Sequence, residues 1–151
     1  MEIKNLFDEA AYRDIVQRIE QLTPASNRVW GKMDVSQMLA HCARIFDIPN
    51  SGKPLPRMFL GRILGPLMRP FLYSEKPWKQ GLPTAPYLKI ADQREFEKEK
   101  AALLQQIQQF YESGPGKAGR YPHPFFGKLT SDQWGKSMWK HIDHHLRQFS
   151  A

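Results

Sequence analysis

The sequence predicts an all-α fold: a four-helix bundle with one long Pro/Gly-rich crossover between helices two and three. Three observations carry this expectation. Four stretches place apolar residues at helical spacing. No convincing period-2 run of β-branched residues occurs anywhere. Eight of the twelve prolines fall between Pro49 and Pro86, so regular structure is expected on either side of that segment rather than within it. At 151 residues the chain has the size of one domain, and 1–151 is expected to form a single helical bundle domain.

The first helix is expected from about Asp8 to Leu22, with Tyr12, Ile15, Ile19 and Leu22 on one stripe and Pro24 beyond its end. The second opens at Asp34, where Gln37 completes a capping box, and is expected to stop before Pro49. Val35, Met38, Leu39, Cys42, Ile45 and Phe46 face inward on it. The third is expected from Asp92, with Glu95 in the box position, to Gly114-Pro115-Gly116. Its stripe is Phe96, Leu103, Ile107 and Phe110. The fourth opens at Thr130, with Gln133 in the box position, and runs nearly to the C-terminus. The apolar crossover RMFLGRILGPLMRPFLY can hold short helical turns, but its prolines argue against a long regular helix.

The net charge is +7, of which residues 51–80 carry +5. Such a surplus permits contact with anionic partners without specifying one. The crossover has three readings: packing across the bundle mouth, a homodimer contact, and, less favoured, binding to nucleic acid or an anionic membrane. Cys42 is the only cysteine, which rules out an intrachain disulfide and a four-cysteine zinc site. It is expected to be a small core residue rather than a catalytic thiolate. No secretory signal or membrane-spanning run is evident, so a cytoplasmic location is the expectation. Nucleotide-binding loops, nucleophile elbows and EF-hand patterns are absent.

Three of the five histidines lie close together in WKHIDHHLRQF. At about 100° per residue, Trp134, Met138, His141, His145 and Phe149 share a sector of about 80°, and His144 lies about 60° to one side of His141. Two imidazoles four residues apart are neighbours on a helix and can bind one metal. His41 sits at the border of the apolar sector of the second helix. His41, His141 and His145 would together make a three-histidine site with open positions, the form associated with catalysis. The competing reading is a set of hydrogen-bonded core histidines. Burying several imidazoles without partners is unfavourable, which favours a metal. Asp143 lies opposite the histidine stripe and is expected to be solvated. His123, between Pro122 and Pro124, is read as a loop residue, with a place at the pocket mouth as the alternative. The aromatic residues Trp30, Trp134, Trp139, Phe125 and Phe126 are read as core or pocket wall.

Trp30 with MDVSQMLAHC, and HPFFGKLTSDQWGKSMWKHIDHHLRQF at 123–149, resemble the DinB/YfiT-like metalloenzyme family, in a branch known only as a domain of unknown function. The resemblance spans nearly the whole chain and includes the four-helix order with its crossover. It implies one divalent metal, zinc or nickel, on His41, His141 and His145, with His144 outside the ligand set. It also implies a small-molecule substrate. Some members are thiol-dependent S-transferases or isomerases using a low-molecular-weight thiol, and others look like hydrolases. A thiol-dependent S-transferase is therefore the favoured expectation and a metal-dependent hydrolase the next. A non-enzymatic binding module, or a dimeric scaffold with a vestigial site, is the third.

Overall fold

The structure, a computed structural model, describes residues 1–151 and is all-helical, with no strands. Six helices follow in order: α1 Glu9–Gln21, α2 Val35–Asn50, α3 Phe59–Tyr73, α4 Phe96–Ser113, α5 Pro115–Ala118 and α6 Ser131–Gln148. A single 3₁₀ turn, Pro86–Leu88, lies between α3 and α4. α2 packs along α4, while α6 touches α1, α2, α3 and α5. The common core joins Ile15 and Ile19 of α1, Met38, Leu39 and Phe46 of α2, Leu103, Ile107 and Phe110 of α4, and Ile142 and Leu146 of α6.

Both capping boxes form. Asp34 accepts from the Gln37 amide at 2.8 Å while Gln37 Oε1 accepts from the Asp34 amide at 3.0 Å. Thr130 and Gln133 repeat the pattern at 3.2 and 3.0 Å. Each box satisfies two of the amides that a helix start leaves without partners, and so fixes where α2 and α6 begin. The box expected at Asp92 does not form. The α4 N-cap is Glu95, whose side chain caps nothing, and Asp92 instead pairs with Arg94 at 2.9 Å. The far end of α4 behaves as expected, since Gly114 takes φ +74° there.

Two expectations about proline fail. α2 does not stop before Pro49 but continues to Asn50. Asn50 holds that last turn by donating to Gln106 O at 3.0 Å and Gln106 Oε1 at 2.6 Å across to α4. The crossover holds a continuous 15-residue helix, α3, with Pro66 and Pro70 inside it. The two prolines lie four residues apart on one face, and both are exposed. Each removes one backbone hydrogen bond, and the carbonyls left without helical partners lie toward that solvated side, so water can satisfy them. α3 is held on its other side by Gly61 and Gly65, which are buried. A Cβ at either would overlap the carbonyl of Phe125, so α3 rests backbone to backbone on the Phe125–Phe126 loop.

That loop is organised by His123. Its Nδ1 accepts from the amides of Phe125 at 3.0 Å and Phe126 at 3.2 Å, and its backbone pairs twice with Gly127. His123 is buried, and burial lowers its pKa to about 4. The loop reading of His123 therefore stands, with a defined structural task. Asp143 is not solvated as expected. It is 3% exposed and ion-paired to Arg18 and Arg147, each at 2.9 Å, because this face of α6 is covered by α1.

Candidate metal centre

α2 and α6 bring three of the five imidazoles together. One ring nitrogen from each of His41, His141 and His145 lies within 4.8 Å of the others. The helical spacing explains this. His141 and His145 are stacked one turn apart on the inward stripe of α6, and the inward border of α2 presents His41 to them. His41 is buried, and its Nε2 lies 3.1 Å from His141 Nε2.

Hydrogen bonds fix which nitrogen of each outer ring carries the proton. His41 Nδ1 faces the carbonyl of Leu88 at 2.9 Å, and a carbonyl can only accept, so Nδ1 donates. Gln148 Nε2 donates to Trp30 O at 2.8 Å, which turns Gln148 Oε1 toward His145 Nδ1 at 2.9 Å. His145 therefore donates through Nδ1. The Nε2 lone pairs of His41 and His145 are left for the interior of the cluster. Ligating histidines in metal sites are held in this manner, with the remote N–H given to a carbonyl or other acceptor.

The electrostatics agree with that proton placement. Burial is the chief cause lowering the pKa of His41, His141 and His145; neighbouring imidazoles add to it for His141 and His145, and Arg44 for His41. His145 is brought down to about 3. All three rings are therefore neutral near pH 7, the form in which imidazole binds metal. Two neutral rings whose unprotonated nitrogens met at 3.1 Å would repel. A proton on one of them, or a cation between them, is required. At the usual zinc–nitrogen length of about 2.0–2.1 Å, two tetrahedral ligands stand about 3.3 Å apart, close to the observed separation. The donor set fits a metal ion, and these three side chains can hold one.

The surroundings of the cluster are aromatic. The Trp78 ring centroid is 5.6 Å from those of His141 and His144, and Trp30 lies 5.8 Å from His144. His144 is half-buried and does not belong to the three-nitrogen group, as expected. Lys140, only 1% exposed, ties this wall down by donating to the carbonyls of Phe71, Ser74 and Lys76 at 2.9, 2.7 and 2.8 Å. Its ammonium also sits over the Phe71 and Trp78 rings. Cys42 is fully buried, burial raises its thiol pKa strongly, and it donates to Met38 Sδ at 3.7 Å. It is a core residue. A groove of about 310 Å³ between α2 and α4, lined by Arg44, Asp47, Arg94, Glu99 and several glutamines, contains none of the histidines.

Residues 4–151 match the family described as "Protein of unknown function (DUF1569)". The chain belongs to this family. No curated protein and no solved structure matches it.

Sequence reasoning missed Leu88, Gln148, Lys140 and Trp78 as parts of this DUF1569 centre. Leu88 contributes only a backbone carbonyl and so leaves no signal in its residue type. Gln148 did have one: it lies three residues after His145, the spacing at which helical side chains meet.

Proposed function

We propose that this protein is a metal-dependent enzyme whose divalent ion, zinc or nickel, is held by His41, His141 and His145. The observation that carries the reading is the convergence of three neutral ring nitrogens, two of them oriented by acceptors on their remote side. The resemblance to DinB/YfiT-like metalloenzymes supports the same ligands. Held by three uncharged donors, the ion would supply an open position that favours an anion, either an external thiol bound as thiolate or a water of lowered pKa.

Thiol-dependent S-transfer is the favoured reaction. No carboxylate belongs to the cluster, so no acidic side chain stands ready as a general base for water. A thiol bound as thiolate needs none at the point of attack. Trp78 and Trp30 offer apolar walls to the small-molecule co-substrate. Hydrolysis is the second reading, and His144 is what favours it. That ring is half-buried, kept neutral by burial, and 5.2 Å from His145 between centroids. It is the one candidate proton acceptor beside the cluster.

Cobalt substitution tests the reading. A sulfur-to-cobalt charge-transfer band on titration with a low-molecular-weight thiol is the expected result. Absence of the band for all cellular thiols, together with turnover of an ester or amide panel, would transfer the assignment to hydrolysis. Metal stoichiometry unchanged in a His141→Ala, His145→Ala double variant would overturn the ligand set itself.

A further inference from the structure

From Phe59 to Met68 the outer face of α3 has no partner within the chain, and only Phe71 at its end is partly covered, by Trp78 and the Lys140 ammonium. Phe59, Leu60, Ile63, Leu64, Leu67 and Phe71 are all exposed, Phe59 by 79% and Leu67 by 80%. At about 100° per residue, the arc from Pro66 round to Met68 covers about 200° and contains no polar side chain. The buried line of Gly61 and Gly65 lies opposite, so α3 is fastened by its narrow side and presents its broad apolar side outward.

The charges bordering this face are positive with one exception, the exposed Glu75 just beyond the helix. Residues 51–74 contain no Asp or Glu. Lys53 precedes the helix, Arg62 stands exposed at the edge of the arc, and Lys76 and Lys79 follow it. Arg57 and Arg69 converge on the side of α3 turned away from this face, over the loop on which Gly61 and Gly65 rest. Each spends Nε on a loop carbonyl, of Pro124 and of Phe126. An Nη2 of each stands 3.3 Å from the position of a Cβ at Gly127. These two charges therefore do not contribute to the apolar face.

We propose that α3 is a docking face for an anionic lipid surface, lying flat in the interface with its hydrocarbon side chains among the acyl chains and Lys53, Arg62, Lys76 and Lys79 toward the headgroups. An apolar arc bordered by cations is the pattern of interfacial helices. At about 22 Å long the helix cannot span a bilayer, and no helix of the protein is long and apolar enough to cross one. A nucleic acid would leave the hydrocarbon side chains unmatched. A second copy on the same face would set cation against cation. The surface is independent of the metal assignment.

Flotation with vesicles tests it. Binding is expected to vesicles of phosphatidylcholine with phosphatidylglycerol, to be lost on phosphatidylcholine alone, and to weaken as salt rises. Phe59→Ser with Leu67→Ser, both at exposed positions, should abolish binding without changing the melting temperature. Arg62→Gln should weaken binding about fivefold at low salt. A polarity-sensitive label on Leu67→Cys should report an apolar environment, and the burial of Cys42 keeps that labelling specific. Failure to bind any vesicle, or binding unchanged in the Phe59→Ser, Leu67→Ser variant, overturns the proposal. So does a concentration-dependent dimer that the same double change dissolves in the absence of lipid binding. Displacement from vesicles by inorganic phosphate at fixed ionic strength would give the bordering cations to a soluble anion and likewise overturn it.

Discussion

His145 gives its Nδ1 proton to Gln148 Oε1 at 2.9 Å, and Gln148 in turn donates to the main chain of Trp30. The imidazole is thereby referenced to the segment before α2 as well as to its own helix. Gln148→Leu should retain the fold and lower metal affinity about ten- to a hundredfold, the usual effect of removing such a support. Gln148→Glu keeps an acceptor for His145 but loses the donor to Trp30, and should fall between. Competition against a chromogenic chelator measures both.

Gly31 takes φ +82°, and a Cβ there would overlap Gln148 Nε2. Gly31→Ala should therefore lower metal affinity in the same direction as Gln148→Leu, although residue 31 touches no imidazole. Combining the two changes should give less than the sum of their effects, since both act through one side chain.

Gly65→Ala places a methyl group against the Phe125 carbonyl, which belongs to backbone and cannot rotate aside. A loss of about 1–3 kcal/mol in denaturant unfolding is expected. Pro66→Ala on the exposed face restores a helical N–H without meeting the loop, and should be neutral or mildly stabilising.

His123 sets an acid limit. Its pKa falls from an ordinary 6.5 to about 4 on folding, so the unfolded chain takes up the proton first. Its contribution is fully present above pH 6.5 and is lost as pH falls toward 4, at a slope of up to about 1.4 kcal/mol per pH unit. Protonation at Nδ1 also removes the acceptor for the Phe125 and Phe126 amides. Melting temperatures should decline through this window, and His123→Asn should flatten the decline.

Asp143→Asn leaves Arg18 and Arg147 without their shared carboxylate in a site that is 3% exposed. Breaking a buried pair on one side costs about 3–5 kcal/mol, and the exposure of Arg147 places the expectation at the lower end. Urea unfolding measures it.

Periodicity made α1, α2, α4 and α6 legible because each turns an apolar stripe to the core, and His41, His141 and His145 were legible because they ride on those stripes. α3 inverts the rule. Its inward line is glycine with only Leu72 and Tyr73 reaching the core, its other apolar residues face out, and its prolines occupy the side where a lost backbone bond can be met by water. No inward pattern remained to set against the prolines. Asp143 was misread for a related reason. A helix wheel shows which residues oppose the histidine stripe, but α6 is covered on that side too.

Lys140 adjoins His141 on α6, and its ammonium gathers the end of α3 and the turn that carries Trp78. The histidine cluster and the aromatic wall beside it are thus hung from one girder. Two of the three candidate donors and the fastening of the aromatic wall lie within six residues of a single rigid rod. The spacing between the imidazoles and Trp78 is gauged from within α6, whatever lies against the far side of the crossover.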